Sequence, residues 1–102
     1  MNNEFEKKAI AALERLLVIA KTDSGQAGRV ATFLLSWWNA GTCGGFDMTD
    51  LWAVASAITN DMIVVFAQVG AWRVYPDRIN AAYRDDFQDI IQMWRPALLE
   101  EA

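Results

Sequence analysis

Six consecutive residues, Met62-Ile63-Val64-Val65-Phe66-Ala67, carry no polar side chain. A segment that is apolar on every side must be surrounded to be stable in water, so this run predicts either a central buried helix or a buried strand. The wider spacing favours the helix. Leu51, Ala55, Ile58, Met62, Val65, Phe66 and Val69 follow the i, i+3, i+4, i+7 pattern, and no other segment reads as a strand that could pair with this one. A helix near residues 50 to 70 is therefore expected as the most buried element. Asp47 or Thr49 is placed to cap a short extra helix near residues 49–54, and Ser56 can open a new helix after a bend.

The flanking sequence has the same period. From Asn3 to Lys21, the positions Phe5, Ala9, Leu13, Leu16, Leu17 and Ala20 make one apolar face, with Lys7, Glu14 and Lys21 opposite. Thr22-Asp23-Ser24-Gly25 ends that helix and offers Asp23 or Ser24 as the cap of the next, so two antiparallel helices are expected. The second, near 25 to 40, carries Val30, Ala31, Leu34, Trp37 and Trp38 and stops at the break Gly41-Thr42-Cys43-Gly44-Gly45. Gly70 and Tyr75-Pro76-Asp77 punctuate the exit from the third helix. Tyr83, Phe87, Ile90, Ile91 and Trp94 then form the stripe of a fourth, near 79 to 95, which Pro96 terminates. The expected fold is a single all-α domain over residues 1–102, a small bundle of about four main helices.

Composition removes most catalytic chemistry. The 102 residues include five Trp, one Cys and no His, so Ser-His-Asp and Cys-His nucleophile systems and His/Cys zinc sites cannot be assembled. No catalytic residue, cofactor or metal is expected, and the chain is read as a non-enzyme. A lone Cys43 forms no internal disulfide, the start does not read as a signal peptide, and the apolar run is far too short to cross a bilayer; a cytoplasmic protein without a membrane partner is expected. The net charge of −4, with no Lys or Arg between Val30 and Trp72, disfavours nucleic acid as a partner.

Several constellations have a plain reading beside a functional one. The glycine run lacks the Lys-Ser/Thr and the preceding strand of a phosphate-binding loop, and is read as a tight interhelical turn. Asp47, Asp50 and Asp61 match no calcium-loop spacing and are read as caps or solvated charge. Cys43, with nothing basic nearby in sequence, is read as a half-buried thiol. Trp37 and Trp38 diverge by about 100° on a helix, so one faces the core and one an edge; the plain reading is a compact aromatic core, and the functional one is a Trp-rich groove, closed by Trp52 over the glycine loop, that serves as a ligand cleft or a protein-contact patch. Trp72-Arg73-Val74-Tyr75-Pro76-Asp77-Arg78 interleaves aromatics with Arg as interface centres do. Trp72, Arg73, Tyr75 and Arg78 are thus the first candidate contact residues, and Trp37, Trp38 and Trp52 the second set.

The stretches Phe33-Leu34-Leu35-Ser36-Trp37-Trp38-Asn39, Gly44-Gly45-Phe46-Asp47, Thr49-Asp50-Leu51-Trp52 and Trp94-Arg95-Pro96 resemble an uncharacterised small-protein family of bacterial genomes, plasmids and other mobile elements. The likeness runs from about Ala11 to Leu98 and implies a bacterial, stand-alone domain with no activity to carry over. The expected function is a protein-interaction module, a homodimer or bound to a protein partner, acting as an accessory or regulatory factor. An acidic inhibitor of a defence or nucleic-acid enzyme is the alternative within the binding class. A small-ligand binder or carboxylate-based enzyme at the Gly/Trp groove is the alternative from another class.

Overall fold

A computed structural model describes residues 3–100, and among them the elements are helices joined by short loops, with no strand. Helix α1 (Asn3–Ala20) buries Ala9, Ala12, Leu13, Leu16, Leu17 and Ala20, the three-and-four spacing of one helix face. Ser24 then caps α2 (Gly25–Cys43) by accepting a hydrogen bond from the Ala27 amide at 3.1 Å. A 3₁₀ helix (Met48–Ala53) follows, then α3 (Ser56–Trp72), the single turn α4 (Pro76–Ile79), α5 (Tyr83–Trp94) and the short α6 (Pro96–Glu100).

Contacts between side chains fix the directions. Arg15 meets Asp61 and Glu6 meets Trp72, so α1 and α3 run antiparallel. Tyr83 donates to Glu14 at 3.0 Å and Trp94 Nε1 to the Ala20 carbonyl at 2.7 Å, so α5 lies parallel to α1. Trp38 stacks on Phe87 and the Trp94 ring lies 3.1 Å from where a Gly28 Cβ would stand, so α2 and α5 are antiparallel. A side chain at Gly28 would displace that indole. Helix α1 packs against α2, α3 and α5 and is the centre of the bundle.

The second helix does not stop at Gly41. It continues to Cys43 through a kink at Asn39 (φ −167°, ψ 85°), whose side chain accepts from the Thr42 amide at 3.2 Å and caps the final turn. Arg95 shows where that turn goes, because its guanidinium reaches both the Cys43 carbonyl (3.0 Å) and Thr32 Oγ1 (3.4 Å). Eleven residues of straight helix would separate those groups by about 16 Å, so the kink folds the end of α2 back beside its middle. Gly44 completes the reversal at φ +104°, a conformation that favours glycine. The chain then returns along α2, with Phe46 edge-on to Phe33 (5.2 Å), Asp50 paired with Arg29, and the Ala55 amide donating to Gln26 Oε1 at 2.8 Å. This strap lets α3 start at the same end of the bundle as α2 and run parallel to it.

Helix α3 is not the most buried element. Only Ile58, Met62 and Val65 of its residues are buried, against six in α1 and seven in α2, whereas Ile63 and Phe66 are 52% and 72% exposed. Its Ile58-Met62-Val65-Val69-Trp72 face lies toward the core, and Thr59, Ile63, Phe66 and Gly70 fall about 100° around the helix, where no further helix covers them. The apolar run fills two faces, but the bundle supplies a neighbour for one. Pro96 likewise ends α5 and, at the first position of a helix where its missing amide costs nothing, opens α6.

This division of α3 predicts a sharp contrast. Val65→Asp buries an unpaired carboxylate and should lower stability by several kcal/mol, about 3 or more, while Phe66→Asp should change it by no more than about 0.5 kcal/mol in urea titrations of dilute protein. The α1–α5 contact predicts a pH dependence. Burial, and then the hydrogen bond to the Glu14 carboxylate, push Tyr83 up to about 12 from the ordinary value near 10. The phenol is favoured over the phenolate in the folded chain, so this stabilisation is complete below pH 10 and is lost as pH rises to 12. Melting temperature should fall across that window, less steeply in Tyr83→Phe.

Candidate functional site

The uncovered flank of α3 and the strap together form an apolar groove of about 110 Å³. Phe33 and Met62 are its buried floor, Phe46 and Leu51 its half-buried wall, and Met48, Ile63 and Phe66 its exposed rim. The strap is held to α3 by Thr59, whose hydroxyl donates to the Leu51 carbonyl at 2.9 Å, so the polar group beside the groove is already satisfied. Met48 is 74% exposed, and Trp52, on the same 3₁₀ helix, is 84% exposed. Met48, Ile63 and Phe66 together at the rim of one apolar groove are a recognition feature, because each large apolar side chain carries a transfer free energy of about 1.5–3 kcal/mol that only a partner can recover.

Two of the three aspartates near the groove are paired with arginines, and the third, Asp47, is a charged helix cap. Asp61 accepts a two-pronged ion pair from Arg15, with both contacts at 2.9 Å, and Asp50 pairs with Arg29. Asp47 caps the 3₁₀ helix, and hydrogen bonds from the Thr49 amide and then the Thr49 hydroxyl hold its carboxyl below the usual range. The three aspartates therefore do not converge on a common point. Among the described residues no group of three or more His, Cys, Asp or Glu side chains is placed to hold a metal.

The candidate contact residues from the 72–78 run are split. The Trp72 ring is half-buried, stacked on Trp37 with centroids 5.9 Å apart and planes 4° apart, and its Nε1 donates to Glu6 at 2.9 Å. Trp72, a candidate contact residue, is only half available at the surface because Trp37 covers one of its indole faces. Arg73, Tyr75 and Arg78 are exposed, and Tyr75 sits between two shallow depressions, one beside Trp37 and Val74, the other beside Trp38 and Asp77. Arg73 caps α3 in the left-handed region (φ 57°), which bends the chain back so that the Val74 carbonyl receives Trp37 Nε1 at 3.0 Å.

Of the two readings of Trp37, Trp38 and Trp52, aromatic packing and a Trp-rich groove, the groove is not formed. Trp37 turns toward Trp72, Trp38 stacks on Phe87 with centroids 4.9 Å apart, and Trp52 projects into solvent. Adjacent helix positions point about 100° apart, and here each of the first two indoles finds its own aromatic partner. Cys43 is buried, as a small apolar residue would be; burial pushes its thiol up, and the nearby Arg95 opposes that only in part. Phe66, Ile63 and Met48, the rim of the groove, were missed as site residues because their helical spacing gave no sign that a bundle neighbour would be lacking.

A small all-helical bundle with one open apolar face is the class that this architecture defines. The chain belongs to a family of unknown function, DUF7673, which matches residues 10–95. Comparison with curated proteins and with solved structures gives no match. The sequence stretches singled out above have structural work in this fold. Asn39 makes the kink and Gly44 the reversal, and Trp94 and Arg95 fasten the far helix to Ala20 and to the end of α2.

Trp72→Ala, which removes both a stacked pair and a hydrogen bond to a carboxylate, should lower unfolding free energy by about 2 kcal/mol or more. Tyr75→Ala should leave it within about 0.5 kcal/mol. Chemical denaturation of the two variants separates the structural ring from the surface one.

Proposed function

We propose that this protein is an interaction module that works by presenting the α3 and strap face to another protein chain. The observation that carries the reading is the exposure of Met48, Ile63 and Phe66 around an apolar groove whose nearby polar groups are already paired. A catalytic or small-ligand pocket needs a few convergent polar groups, and the seven residues lining this groove bring none. The acidic-inhibitor alternative draws less support, since Asp50 and Asp61 are neutralised by Arg29 and Arg15. Among the described residues no helix is long and apolar enough to cross a membrane. The likeness to small proteins of bacterial genomes and mobile elements supports an accessory or regulatory role in a bacterial cytoplasm.

A photo-crosslinking side chain at position 66 of the whole chain, expressed in its native cell, tests the reading. A discrete adduct to a protein is expected there, and none at exposed Ala11 on the far side of α1. Equal, diffuse labelling at both positions would overturn it.

A further inference from the structure

We infer that the depression between Trp37 and Tyr75, at the C-terminal end of α3, is a binding site for a small aromatic acid, a flat ring system carrying one carboxylate. It shares no lining residue with the groove between α3 and the strap, so it stands independently of the interaction reading above. Trp37, Val69, Arg73, Val74 and Tyr75 surround a volume of about 310 Å³. A cavity of roughly 150 Å³ admits one benzene ring, so there is room here for two fused rings. The lining combines what such a ligand needs: indole, phenol and valine surface for the ring, and one guanidinium for the charge.

Charge decides between an acid and an amine. Tyr75 is 62% exposed, and the exposed charges on either side of it in the chain are Arg73 and Arg78. Among the described residues neither arginine has a carboxylate within ion-pair distance, whereas Asp77, the carboxylate of this segment, is held by Arg84 at 2.9 Å. Arg73 Nε donates to the Gly70 carbonyl at a long 3.4 Å, which leaves its two terminal amino groups for a ligand carboxylate, in the side-by-side pairing that a guanidinium favours. The walls are set without a ligand. Trp37 is stacked on Trp72 and donates to the Val74 carbonyl at 3.0 Å, and the Arg73 amide donates to the Val69 carbonyl at 3.0 Å while its backbone takes the left-handed conformation, uncommon for a residue with a side chain. Walls already held in place lower the ordering cost of binding.

Titration of the whole, isotope-labelled chain with naphthoate, followed by NMR at the Trp37 indole N–H and the Val74 and Tyr75 amides, tests the site. Saturable shifts are expected there, with a Kd of about 1 mM or tighter. The neutral isostere naphthamide should bind at least about tenfold more weakly. Arg73→Gln, which changes an exposed side chain, should weaken the acid by about tenfold or more and the amide by less than about twofold. Tyr75→Ala should weaken both by about threefold or more, and Phe66→Glu neither. No saturable shift up to about 20 mM would overturn the assignment, and so would an acid bound no better than its amide or a binding that ignores Arg73→Gln. A peptide ending in Trp with a free carboxylate offers the same chemistry from a protein source. Were it to bind more tightly than naphthoate, the small acid would be the wrong ligand.

Discussion

The bundle depends on the burial of one face of α1. Ala9, Ala12, Leu13, Leu16, Leu17 and Ala20 are almost wholly withdrawn from water, and three other helices lean on that helix. The small residues let neighbouring backbones come close, and the leucines fill the space between, each contributing roughly 2 kcal/mol of transfer free energy. Polar groups at the edges then set register without entering the core. Arg15 aligns α3 through Asp61, Glu14 aligns α5 through Tyr83, and among the described residues no charged side chain is buried. With α1 in the middle, every other helix has one neighbour too few to be covered all round.

That shortage falls on α3 because of the way α2 ends. Had α2 continued straight, the following segment would have emerged at the opposite end of the bundle, and α3 could have packed antiparallel to it through a short turn. The Asn39 kink and the Gly44 reversal instead send residues 44–55 back along α2 as a strap. Arg95 secures the reversal by donating to the Cys43 carbonyl, one of the unpaired acceptors at a helix C-terminus, where a cation is also favoured by the helix dipole. The strap occupies the side of α2 that a further helix would need, yet it is too thin to cover the outer flank of α3. The apolar groove is the gap between them.

Sequence periodicity carried most of the fold. The first helix boundary, the Ser24 cap, the short helix opened by Asp47, the restart at Ser56 and the Tyr83-to-Trp94 stripe are local matters of spacing and capping, and the structure has each of them. What local pattern could not convey was which faces meet. Six apolar residues in a row looked like a helix enclosed on all sides, and Trp37, Trp38 and Trp52 fitted either an aromatic core or a shared groove. In the folded chain the run is enclosed on one side, and two of the tryptophans are covered by Trp72 and Phe87. Likewise, the guanidinium beside Cys43 comes from Arg95, far away in sequence, so the lack of a basic neighbour in the chain said nothing about its neighbour in space.

By itself the sequence determined that the chain is helical, roughly where its four main helices lie, and which residue types it has to work with, since these follow from side-chain spacing, caps and composition. Only the tertiary structure decided which apolar face stays open. Helical period states how much surface a helix has to bury, but the number and direction of its neighbours depend on a kink, a reversal and a long-range arginine contact that no local pattern encodes. Phe66 is therefore a surface residue here, although its place in an unbroken apolar run gives no hint of it.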